Sequence, residues 1–145
     1  YEIETMTKGF EAIQARMKDI MDRSNDKFAD PPVSNKEKAL YSTLEVCEEM
    51  YARGYRISNV DINKSQATHF SVQPEDKHTI IPPFTVVDGL GANVAKSIVE
   101  AREENPFLSK EDILKRTQLS ATMLKKLEQL GAVGDLSESN QMSLF

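Results

Sequence analysis

The residues with the clearest capacity for chemistry are two glycines around a leucine, Gly89-Leu90-Gly91. They lie between a short apolar helix expected from Phe84 onward and a second helix in which Val94, Ala95, Ile98 and Val99 recur on the buried side. Glycine lets a backbone turn sharply and come close to another surface. A helix that starts straight after such a turn points its unpaired N–H groups outward at a positive dipole end. The implied chemistry is non-covalent capture of a phosphate by Gly89, Leu90, Gly91, Ala92 and Asn93, with the Lys96 ammonium one turn further in. The same three turn residues would also serve as a plain tight connection in an αα-hairpin. A degenerate copy follows at Gln118-Leu119-Ser120. It is preceded by a helix over Lys110 to Arg116, with Ser109 and Asp112 at capping-box spacing, and followed by a helix carrying Leu124, Leu127 and Leu130 that Gly131 stops. Ser120, as an N-cap, would itself accept one of the helix N–H groups. Ser120, Ala121, Thr122 and Lys125 are therefore a second candidate phosphate contact, weaker than the first.

A different chemistry is available at the end of the sequence. After the polar run Gly134 to Asn140 come Gln141-Met142-Ser143-Leu144-Phe145, with large apolar side chains in an exposed position. Burying Leu144 and Phe145 in a partner's pocket contributes roughly 1.5–3 kcal/mol each before ordering costs. Gln141 offers both donor and acceptor to the pocket rim. This reads as a short linear motif; the alternative is a tail folded onto its own core. Elsewhere the prospects are poorer. The pairs Glu48-Glu49 and Glu103-Glu104 fall on polar helix sides and read as solvated. His69 and His78 have no second histidine or cysteine at ligand spacing, so no metal site is assigned. Lys64 and Ser65 open a stretch to Thr68 that reads as a structural loop, with a polar contact to nucleic acid or nucleotide as the other option. No catalytic residue is assigned.

These groups need elements to hold them. With 39% hydrophobic and 28% charged residues in 145, the chain has material for one modest core or two small ones. Met6, Phe10, Ile13, Met17, Ile20 and Met21 form one helical stripe reaching about Arg23, preceded by Tyr1-Glu2-Ile3-Glu4, whose alternation suggests a strand cut from a larger protein. A linker with Pro31-Pro32 follows. Leu40, Leu44, Cys47 and Tyr51 then mark a second amphipathic helix from Lys36 to Arg53, stopped by Gly54. Short strands are expected at Tyr55–Ile57, Val60–Ile62, Thr68–Val72 and Thr79–Ile81, with Gln73 to Asp76 as a turn. The fold class is mainly α with a small β element, amphipathic helices and short strands leading into a tandem helix-hairpin-helix domain.

Charge and cysteine usage set limits. A net charge of −5 argues against a free-standing nucleic-acid binder, and the segment from Pro82 to Val133 is formally neutral. Duplex binding would therefore rest on backbone donors with Lys96, Lys125 and Lys126, and be weak, sequence-independent and salt-sensitive. The lone Cys47 reads as a buried thiol in a reducing compartment, and no apolar run is long enough to span a membrane. A soluble, cytoplasmic protein with no membrane partner is expected.

Taken in order, several blocks resemble the C-terminal end of the Gram-positive PolC-type DNA polymerase III family, the α subunit. They are Gly9 to Arg16, Leu44 to Gly54, Asp61 to Thr68, Ile81-Pro-Pro-Phe84, Gly89-Leu-Gly91, Phe107 to Asp112 and Gln141 to Phe145, and together they cover essentially the whole chain. The resemblance implies that residues 1–81 are the end of the fingers region and residues 82–133 a tandem helix-hairpin-helix domain that grips the primer–template duplex. Residues 134–145 would be a flexible tail whose last five residues, Gln141, Met142, Ser143, Leu144 and Phe145, bind the β sliding clamp. Met142 stands where that family usually has Leu, a volume-conserving change. The resemblance further implies a parent enzyme with DNA-directed DNA polymerase and 3′–5′ exonuclease activities, whose Mg ions sit in an upstream palm. This segment would carry no cofactor, and its partners would be duplex DNA, the clamp, the rest of the polymerase and the replisome. Two other readings stay open: a stand-alone helix-hairpin-helix module of a repair or recombination protein, and a helical domain that binds only proteins.

Overall fold

A computed structural model describes residues 1–139. The clamp-peptide residues Gln141 to Phe145 lie outside the described residues. The described chain divides into two compact units, Tyr1–Ser58 with Gln73–Ile80, and Asn59–Val72 with the described residues from Ile81.

In the first unit, α1 (Ile3–Met6), α2 (Phe10–Ser24) and α3 (Asn35–Ala52) pack around Met6, Ile13, Ile20, Leu40, Leu44, Cys47 and Ile57. The expected opening strand is instead the single helical turn α1, and the stripe from Met6 is not one continuous helix. Gly9, at φ 104°, breaks it before Phe10, a backbone region that L side chains rarely adopt. The break re-aims the stripe, so that Ile13 and Ile20 are buried while Phe10 and Met21 are exposed. The Tyr51 hydroxyl donates to the Met6 carbonyl at 2.6 Å and ties α1 to α3. Helix α3 starts in a full capping box. The Ser34 Oγ accepts the Glu37 N–H at 3.1 Å, and the Glu37 carboxylate accepts the Ser34 N–H at 3.2 Å. That carboxylate also receives Arg16 at 3.1 Å and Arg23, so one glutamate joins both helices.

Strands β1 (Arg56–Ile57), β2 (Ser71–Gln73) and β3 (Asp76–Ile81) form one sheet in the order β1-β3-β2, with β1 parallel to β3 and Ile57 opposite Ile80. Pro74-Glu75 make the turn between β2 and β3. No strand forms over Val60–Ile62. Both side chains are buried, but the backbone is a loop in which the Asp61 N–H donates to the Ser65 Oγ at 2.9 Å and the Ile62 N–H to the Ala132 carbonyl at 2.8 Å. Alternating apolar residues here report burial rather than strand. Ser65 is thereby a fully buried structural residue.

The second unit holds a 3₁₀ turn (Phe84–Val86), α4 (Ala92–Glu104), α5 (Lys110–Arg116) and α6 (Ala121–Gln129). Phe84, Leu90, Ile98, Ile113, Leu119 and Leu127 are among its buried residues. The stretch before Gly89, expected as a short helix, is only this single turn. No helix among the described residues is long and apolar enough to cross a membrane.

Candidate nucleic-acid interface

The two hairpin turns present their following helices in matching register. Leu90 and Leu119 are both buried. The next residue in each, Gly91 and Ser120, is the N-cap, with φ and ψ of −79° and 166° against −77° and 157°. Ala92, Asn93 and Lys96 then correspond in position to Ala121, Thr122 and Lys125, and all six are exposed. The structure thus gathers the residues singled out from sequence into two like sets, each with small residues at a helix start and a lysine one turn in.

The turns differ in how they are made. Gly89 has φ 85°, and a Cβ there would lie 3.0 Å from the Met123 Cε. Its glycine is required by the backbone. Gly91 has an ordinary φ, and a Cβ there would meet nothing within 4 Å. Nothing within the fold demands glycine at Gly91, which leaves an open approach to the first amides of α4, and no side chain caps that helix. At the second turn the Ser120 Oγ accepts the Met123 N–H at 3.1 Å, the self-capping expected from its side chain. Gln118 replaces Gly89 without a positive φ, and its N–H donates to the Ser97 Oγ at 2.9 Å. The two hairpins are therefore braced together. Besides the Ser97 link, Lys126 Nζ donates to the Asp88 carbonyl at 2.8 Å. Lys126, expected as a phosphate contact, is spent on this internal bond.

Most of the other cations in this segment are also used internally. Arg102 donates to the Ile62 and Ser65 carbonyls at 3.1 and 2.8 Å, and burial pulls its pKa below the ordinary guanidinium value against the opposing pull of Glu103 and Asp61. Arg116 caps the end of α4 by donating to the Ala101 and Asn105 carbonyls at 2.6 and 2.7 Å. It also meets Asp112 at 2.8 Å and stacks on Phe107, 5.1 Å from the ring centre. Burial works against the Asp112 charge, yet the Leu108 N–H and Arg116 outweigh it and hold its carboxyl below the usual range. Lys115 pairs with Glu111 at 3.0 Å, and Lys110 with Glu128 and Glu138 at 3.7 and 3.2 Å. Of the cations from Pro82 to Val133, Lys96 and Lys125 are the two without an ion-pair or hydrogen-bond partner among the described residues, and both follow the hairpin turns. Sequence reasoning missed Ser97, Lys126 and Arg116 as the braces. The i, i+4 spacing of Asp112 and Arg116 was the one available signal.

Neither Lys64, which is exposed, nor the paired carboxylates gather into a reactive cluster. Among the described residues no group of three or more His, Cys, Asp or Glu is placed to hold a metal.

Residues 54–143 match the family model described as the helix-hairpin-helix motif. Over its full length the chain is 46% identical to DNA polymerase III PolC-type of Streptococcus pneumoniae (strain D39). It is 43% identical to the proteins of that name in Streptococcus thermophilus (strain CNRZ 1066) and Streptococcus sanguinis. In each case it spans 9% of the relative's length. The chain belongs to the helix-hairpin-helix family, and all of it corresponds to one short segment of the PolC-type polymerases it resembles.

Proposed function

We propose that this chain is the duplex-holding and clamp-tethering part of a replicative DNA-directed DNA polymerase. Two hairpins take phosphates of the primer–template duplex, and Gln141 to Phe145 take the β sliding clamp, giving processivity. The parent enzyme works in the cytoplasm within the replisome, and its Mg ions and its polymerase and exonuclease chemistry belong to chain outside this segment. The observation that carries the duplex reading is the matched pair of helix starts, open at Gly91 and partly self-capped at Ser120, each followed one turn later by an unpaired lysine, in a segment whose other cations are engaged internally. Backbone amides and an ammonium at that spacing recognise phosphate without reading bases. That specificity suits an enzyme that must hold every sequence it copies.

The test is fluorescence anisotropy of a labelled duplex with the full chain, its K96A/K125A variant and a form lacking Gln141 to Phe145. The double substitution is expected to weaken duplex binding about tenfold and to reduce the salt slope by about 2, one for each phosphate that no longer meets a lysine. Unchanged binding would return the hairpins to a structural role. Removing the last five residues is expected to leave duplex binding intact and abolish capture by purified β clamp.

A further inference from the structure

The polar run after Val133 does not leave the second unit freely. The Lys110 and Glu111 N–H groups, at the start of α5, donate to the Ser137 and Glu138 carbonyls at 2.8 and 3.0 Å. Lys110 Nζ holds the Glu138 carboxylate at 3.2 Å, while Glu138 itself is largely exposed. Chain that reads as a loose tether is thus pinned to α5 as far as Glu138. Only Ser139 and Asn140 stand between this anchor and Gln141. Three residue steps reach at most about 10 Å.

A protein that buries the terminal pentapeptide has a footprint wider than that leash: a standard interface covers about 800 Å² on each partner. With Glu138 held, such a protein cannot avoid the surface around α5. That surface carries two exposed leucines, Leu108 at 70% and Leu114 at 37% exposure. Leu108 lies just before the Ser109 cap, and Leu114 lies one turn along from Lys110, the residue that grips Glu138.

We infer that the protein taking the terminal peptide also docks on the α5 face through Leu108 and Leu114, so that its attachment is a short two-point dock and not a flexible leash. The inference rests on the proposed clamp reading of the tail and names a second surface for the same partner. Two contacts on one rigid unit convert the second binding event into an intramolecular one, which raises affinity without changing the peptide.

The test compares binding of purified β sliding clamp to the full chain and to a synthetic Asn140–Phe145 peptide. The full chain is expected to bind at least tenfold more tightly. L108E and L114E, introduced together, are expected to bring the full chain to the affinity of the peptide while leaving its circular dichroism and melting curve unchanged. Equal affinity of peptide and unmodified chain overturns the second surface and leaves the clamp reading standing. Failure of the clamp to bind either one overturns the clamp reading, and the second surface with it.

Discussion

At Gly91 and Ser120 the same backbone conformation carries opposite side-chain chemistry. Gly91 leaves the α4 amides open, whereas Ser120 occupies one amide of α6 with its own hydroxyl. Exchanging them separates folding from binding. G91S adds a cap and is expected to leave stability unchanged or raise it by a few tenths of a kcal/mol, yet to weaken duplex binding about threefold, because the new hydroxyl takes the amide a phosphate would use. S120G is expected to cost a few tenths of a kcal/mol and to strengthen duplex binding. Urea denaturation and duplex titration of the two variants check both halves, and parallel loss of stability and binding in G91S would sink the argument. The contrast follows a general tension in which a binding group left unsatisfied in the free protein is a small cost to stability.

Between elements, Glu37 is the group through which α2 and α3 depend on pH. Its hydrogen bonds from Arg23 and from the Ser34 backbone hold its pKa near about 2, against 4.5 for an unperturbed glutamate. Because the folded value is the lower one, the contribution is fully present above about 4.5 and is lost as pH falls toward 2. E37Q is therefore expected to melt below the parent chain at neutral pH, with the gap closing through that window in melts monitored by circular dichroism. The Ser34-x-x-Glu37 spacing was there to be read, but the linker composition around Pro31-Pro32 masked it. The helices themselves were legible because their apolar stripes are long. The break at Gly9 was not, since a stripe with a shifted phase looks continuous when only spacing is counted. Val60 and Ile62 misled for a related reason: alternation records which side chains are buried, and a loop held by Ser65 and Ala132 buries them as well as a strand does. At the hairpins, Gly89-Leu90-Gly91 was plain in the sequence. Which lysines stay unpaired was not, because Lys126 and Arg116 find their partners only through folding.

For the whole molecule, the proposed duplex binding by an acidic chain with so few free cations should show shallow salt dependence. A slope of log affinity against log salt between about −2 and −4 is expected for two to four phosphate contacts, measured by titration from low to moderate salt. A steeper slope would mean that surfaces beyond the hairpins join in. The anchored tail makes a second prediction. Deleting residues 140–145 is expected to leave the denaturation midpoint unchanged. Deleting 137–145 removes two hydrogen bonds at the start of α5 and should cost about 1–3 kcal/mol. Equal midpoints for the two truncations would show that the pinned stretch adds nothing to the fold. One more consequence comes from Cys47, which is 3% exposed and whose thiol burial pushes above its ordinary pKa, against the weaker pull of a backbone hydrogen bond. A maleimide dye offered to the K96C variant should find the new thiol first and reach the old one only when the α2–α3 unit opens. Labelling at Cys47 would slow about a hundredfold for every ~2.7 kcal/mol of opening free energy. The chain thus carries its own stopwatch for breathing, readable in a mass spectrometer, with the exposed hairpin thiol as the fast reference in the same sample.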